Sequence, residues 1–129
     1  MDYDISKEYC RIIQNKINLN DFDTALDNAK KLVSYCPDSA EGYYYVGLCC
    51  FALGNFNDSI NNYEKCIELD HNFAKAYYNL GVTRYYLNDH KEALNYVEYA
   101  YKLFKKANNK EACAKCLESI EYIKEEHGL

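Results

Sequence analysis

Gly42-Tyr43-Tyr44-Tyr45-Val46-Gly47 returns 34 residues later as Ala76-Tyr77-Tyr78-Asn79-Leu80-Gly81, with an aromatic, an aliphatic and a glycine at the same spacing. Outward from this pair the register persists. The turn residues Asp21-Phe22, Asn55-Phe56 and Asp89-His90 recur at the same offset, as do Ala25-Leu26, Ser59-Ile60 and Ala93-Leu94. A fixed period of this length marks a chain built from stacked supersecondary units, each too small to bury its apolar face alone. Equal spacing implies equal geometry.

Within each unit the apolar residues fall three and four apart, as in Tyr43, Val46, Gly47 and Cys50, then Ile60, Tyr63 and Ile67. That is the helical period, so each unit reads as two amphipathic helices. The breaks Asn18-Leu19-Asn20-Asp21, Gly54-Asn55 and Asn88-Asp89 supply Gly or Asn for the left-handed conformation that ends a helix. Breaks this short make the flanking helices antiparallel neighbours. Between units, Pro37-Asp38-Ser39 and Asp70-His71-Asn72 stop one helix and start the next, with Ser39 placed as an N-cap. The spacing predicts helices over 5–18, 22–35, 40–53, 57–69, 74–87, 90–106 and 109–126, the sixth running longer than its counterparts because neither Pro nor Gly interrupts Phe104-Lys105-Lys106. In the seventh, Cys113, Cys116, Leu117, Ile120 and Ile123 form one apolar stripe opposite Lys115, Glu118, Glu121, Lys124 and Glu125. Such a one-sided helix is expected to cap the open end of the stack, over Leu94, Val97 and Tyr101.

Composition agrees with an all-helical domain. The 129 residues include one Pro and five Gly, too few breakers for a many-turned β fold, and are 49% hydrophobic and 27% charged. The formal charge of −5, with Arg11 and Arg84 the only arginines, argues against nucleic acid and against an anionic membrane surface. Met1-Asp2-Tyr3-Asp4 opens acidic and no apolar run follows, so the chain is read as soluble and cytoplasmic. Seven Cys is an odd number, and reduced thiols are the expectation. Fifteen Tyr with no Trp suit half-buried surfaces, since each ring is apolar and each hydroxyl needs water or a partner.

These residues resemble the tetratricopeptide repeat (TPR) family, as three tandem repeats at 6–39, 40–73 and 74–107 and a capping helix at 109–126, making a single domain of 1–129. The second repeat carries the family's pattern as Tyr43, Val46 and Gly47, then Ser59, Tyr63 and Cys66; the third carries it as Tyr77, Leu80 and Gly81, then Ala93, Val97 and Ala100. The first departs, with Ile13 in place of Gly and Ala29 in place of the aromatic, an exchange of volume between two facing helices. The resemblance implies antiparallel pairs stacked as a right-handed α-α superhelix whose concave face binds another protein, either a peptide or a helix.

Carried over residue by residue, that face contains Gln14, Tyr44, Tyr45, Leu48, Lys75, Tyr78, Asn79, Val82 and Tyr86, together with Cys10, Ile17, Phe51 and Tyr85. Family precedent also allows Phe51 and Tyr85 to pack internally instead. One subgroup clamps acidic chaperone tails with Lys, Asn, Asn, Lys and Arg; the matching positions are Cys10, Gln14, Tyr45, Lys75 and Asn79, so only Lys75 is retained. One exposed ion pair gives about 0–1 kcal/mol, whereas micromolar binding needs about 8 kcal/mol. Burying a few apolar side chains at about 1.5–3 kcal/mol each can supply it. The expected partner therefore brings apolar anchors, and the alternative is a structural or self-associating element forming a homo-oligomer. No cofactor, metal or catalytic group is expected: Cys113-Ala114-Lys115-Cys116 lacks a second ligand pair, and no nucleophile lies at a useful spacing from a base. His71 and His90 read as turn residues.

Overall fold

Four of the seven helices begin where a short polar side chain replaces the missing backbone acceptor. In the computed structural model, which describes residues 4–129, Asp4, Asp21, Ser39 and Asn109 accept from the backbone N–H of Lys7, Thr24, Gly42 and Ala112, opening α1 (Ile5–Asn18), α2 (Phe22–Tyr35), α3 (Ala40–Ala52) and, last in the chain, the C-terminal helix. The remaining helices are α4 (Phe56–Leu69), α5 (Ala74–Tyr86), α6 (His90–Lys106) and α7 (Lys110–His127). Ser39 is the N-cap anticipated for it, its hydroxyl 3.0 Å from the Gly42 nitrogen. The left-handed turns fall on the repeat: Asn20 at φ 58°, Gly54 at 82° and Asn88 at 63°, with Asn108 at 58° before α7. Asn and Gly are the residues that tolerate this conformation.

Helix ends agree with the spacing to within one residue: Leu53 and Leu87 are C-caps, and α7 continues to His127 until Gly128 turns left-handed. α6 is indeed longer, 17 residues against 14 in α2 and α4. Among the described residues no helix is long and apolar enough to cross a membrane. The reading of Met1-Asp2-Tyr3 lies outside the described residues.

The chain divides into two compact units, Met1–Asp70 and His71–Leu129, at the turn after the second repeat. In the first, α1 packs on α2, α2 on α3 and α3 on α4. Ile13, Ala25, Ala29, Leu32, Tyr45, Val46, Cys49 and Cys50 form one buried cluster. Large members such as Ile13 and Leu32, both fully buried, contribute about 1.5–3 kcal/mol each. The crossing of α3 on α4 depends on Gly47, where a Cβ would lie 2.7 Å from the buried Tyr63 ring.

In the second unit α6 lies between α5 and α7. Ala93, Leu94, Val97, Ala100 and Phe104 of α6 join Cys116 and Ile123 of α7 in one cluster, with Tyr101, Cys113 and Ile120 packed at its edge. The capping helix thus covers the face it was expected to cover. Its stripe needs one correction: Leu117 is 48% exposed, while Ala112 packs against the α6 cluster. At Gly81 a Cβ would meet Val97 Cγ2 at 2.8 Å and the Ala93 carbonyl at 3.0 Å, so α5 and α6 approach to backbone distance.

Candidate functional site

In the first unit, α1 and α3 bring Gln14 and Tyr45 together. The Gln14 amide donates to the Tyr45 hydroxyl at 2.7 Å, and that hydroxyl donates to the Glu41 carboxylate at 3.3 Å. Tyr45 is only 6% exposed, so its expected place on a binding wall is corrected: the ring is core, and the neighbouring Gln14 and Glu41 satisfy the hydroxyl that burial would otherwise strand. Burial, helped by the Glu41 charge, pushes its pKa well above the ordinary tyrosine value. Cys10 belongs to the same cluster. Burial first and Glu41 second push its thiol up to about 12, which keeps it protonated and unreactive at neutral pH. Tyr44 is half-buried, its ring 5.6 Å from Tyr45 and 6.0 Å from Tyr63. Ile17 and Leu48 are half-buried, Ile17 against the core, and Phe51 packs on Phe56 at 5.3 Å.

In the second unit Lys75 and Tyr86 are exposed, Tyr78, Asn79 and Val82 half-buried. The Tyr78 hydroxyl lies 2.9 Å from Ser119 Oγ of α7, and Lys115 of the same helix sets its ammonium 5.1 Å above the Tyr78 ring. Tyr85 carries Tyr86 edge-on at 6.4 Å, His90 at 4.8 Å and Tyr122 at 6.1 Å. His127 Nε2 is 3.1 Å from the Tyr85 hydroxyl, and its ring stacks on His90 at 3.5 Å. His90 is therefore a packing residue of the turn, as Phe56 is for Phe51.

Side chains, more than backbone contact, bridge α5 to α7, and they leave an open cleft of about 310 Å³. Gly81, Val82 and Tyr85 form one wall, Val97 the floor, and Glu118, Ser119, Tyr122 and Ile123 the other wall. Val82 was anticipated as a wall residue; the α7 contributors were not. The available signal was a second stripe on α7, Lys115, Ser119, Tyr122 and Glu126, three and four apart beside the apolar one.

Reactive chemistry is sparse here. All seven thiols are free, and burial pushes Cys49 and Cys66 up to about 12 and Cys116 up to about 11. Among the described residues no group of three or more His, Cys, Asp or Glu side chains is placed to hold a metal ion. What the second unit offers is an apolar cleft with hydroxyls and a carboxylate on its rim.

Two family profiles match the chain, "TPR repeat" over residues 47–88 and "Tetratricopeptide repeat" over residues 74–106. No curated protein matches the sequence. Solved structures match across nearly the whole chain. The Yersinia enterocolitica type III secretion translocator chaperone SycD is 16% identical with TM-score 0.90, covering 100% of this chain and 90% of that one. The TPR2B domain of yeast Sti1, in complex with pHsp70, is 19% identical with TM-score 0.88, covering 95% and 98%. The first TPR of Spaghetti (RPAP3) is 19% identical with TM-score 0.84, covering 100% and 98%. Repeat spacing, turn geometry and close helix crossings agree with these matches, and residues 47–106 match tetratricopeptide-repeat models within a chain that has the fold of these structures.

Proposed function

We propose that the chain is a protein-interaction module that holds a peptide or helix of a partner through apolar anchors on the faces of α1, α3 and α5. The observation that carries this reading is the open cleft beside α5, with Val82 in its wall and the exposed Tyr86 nearby on the same helix, 60% accessible. Chains of the same fold are complexed with partner segments: yeast Sti1 TPR2B with pHsp70, RPAP3 with an HSP90 peptide, and SycD with a peptide of the translocator YopD. We retain Gln14, Tyr44, Leu48, Lys75, Tyr78, Asn79, Val82 and Tyr86 as contact positions and withdraw Tyr45. We also read 1–129 as one working domain of three repeats, non-catalytic, in a reducing cytoplasmic compartment, which suits its odd number of cysteines.

The test is capture from the native source with the wild-type chain and with Tyr78→Ala/Tyr86→Ala. A partner held by the first and lost by the second, at unchanged circular dichroism, supports the reading. Equal retention by both would move the contact elsewhere. A second reading, self-association, is favoured by the exposed Leu117, and SycD has been seen as an alternative dimer; a mass that doubles with concentration would select it.

A further inference from the structure

We propose that the cleft between α5 and α7 seats one large apolar side chain of a partner segment in which Lys or Arg flanks that anchor. The inference rests on the interaction reading and adds the chemistry of the occupant. The cleft holds about 310 Å³, at the low end of ligand pockets, which run about 300–1,000 Å³. That is room for a Leu, Ile, Met or Phe side chain with part of a neighbour. Its lining is mostly hydrocarbon: the Val82, Val97 and Ile123 side chains present nothing else. An apolar group entering here displaces water from apolar walls, which favours binding.

The charges around the cleft select the flanks. The α5 wall carries none. The α7 wall presents the Glu118 carboxylate in the lining. Glu126 follows Tyr122 by one turn on the same stripe of α7, toward the end where the His127 ring meets the Tyr85 hydroxyl. The negative end of the α7 dipole lies there too. The one cation on this stripe, Lys115, is set over the Tyr78 ring and so is already engaged. A Lys or Arg beside the anchor meets carboxylates, while an Asp or Glu meets like charge. The same argument disfavours a second copy of this chain as occupant, because its net charge is −5.

The experiment pans a phage-displayed random nonapeptide library against the full chain. The recovered sequences are then measured as fluorescein-labelled peptides by anisotropy, against wild type, Val82→Phe and Glu118→Lys. The expected winners carry a large apolar residue next to Lys or Arg. Glu118→Lys, an exposed change that leaves the fold intact, weakens them by about tenfold, equivalent to about 1.4 kcal/mol, and Val82→Phe does the same by filling the cleft. Winners with acidic flanks overturn the proposal. So do winners that both variants bind as tightly as wild type does, an outcome that leaves the interaction reading standing. Recovery of no binding peptide would remove both.

Discussion

The contact between α1 and α2 and the contact between α3 and α4 solve one packing problem in opposite ways. At the crossing of the second pair, α3 supplies Gly47 and α4 supplies Tyr63, whose ring lies so close that a Cβ on Gly47 would be 2.7 Å from it. Thirty-four residues earlier the first pair places Ile13 and Ala29 in the same roles, and both are fully buried in the cluster. The large side chain has moved from the second helix to the first, and the small one has moved the other way. What the repeat preserves is the volume between two helix axes, not the residue at a position, as expected for interiors packed near crystal density. Gly81 and Val97 of the third pair are an intermediate case, with a smaller partner and a backbone carbonyl also within 3.0 Å of the absent Cβ.

Breaking the comparison gives the largest expected effect. Tyr63→Ala alone should cost about 3–5 kcal/mol, the usual range for emptying an aromatic site in a core. Gly47→Ile in the same chain imports the solution of α1 and α2, and the double variant should recover about half of that loss. Urea melts of the two singles and the double form a complete cycle. If Gly47→Ile makes Tyr63→Ala worse, volume is not what the two pairs share. Next comes Gly81→Leu, expected to cost about 3 kcal/mol through overpacking. Val97 can turn aside, but the Ala93 carbonyl belongs to a helix backbone and cannot. A loss below about 1 kcal/mol in the same assay would show that α5 and α6 separate easily.

A smaller effect separates the pairs by chemistry. Where α2 has Leu32 and α6 has Ala100, α4 has Cys66, fully buried and with its thiol pushed up to about 12 from an ordinary 9. Between those values the unfolded chain loses a proton that the folded chain keeps. Stability is therefore whole below about pH 9 and falls as pH rises through the interval. Cys66→Ala should flatten that fall relative to wild type, while the tyrosines and lysines titrate as a common background. Denaturation midpoints near pH 8 and near pH 10 check it, and parallel losses in the two proteins would remove Cys66 from the account.

The fold was legible because repeat geometry needs few residue types at fixed places. Asn20, Gly54 and Asn88 each end a helix in the left-handed region, and only Gly, Asn and Asp do so cheaply. Even the volume exchange at Ile13 and Ala29 was readable from their sizes. The candidate site was less so. Tyr45 and Asn79 hold the same place in the repeat, yet Tyr45 is core while Asn79 is half-buried. Gln14 and Glu41 close over the Tyr45 hydroxyl, and no period within one helix encodes that. Leu117 fits the apolar stripe of α7 by spacing alone, and the surface of α6 decides which members of the stripe are covered.

The smallest predicted effect sharpens the comparison most. Ala25, Ser59 and Ala93 occupy the same place in α2, α4 and α6, and all three are fully buried. Two of them present a methyl group. Ser59 presents a hydroxyl that finds no hydrogen-bond partner among the described residues, although a helical serine can commonly bond back to the carbonyl four residues earlier. A buried hydroxyl left unpaired has given up its water for nothing in return, and such groups cost about 1–3 kcal/mol. Ser59→Ala removes that cost together with a small volume, so the substitution should stabilise the chain by about 0.5–1 kcal/mol, the sign opposite to most core changes. The urea midpoint should rise with an unchanged slope. A fall instead would mean that the hydroxyl is bonded in solution, by a water or by the Asn55 carbonyl, and that α3 and α4 use it to hold a crossing that the other pairs hold by packing alone.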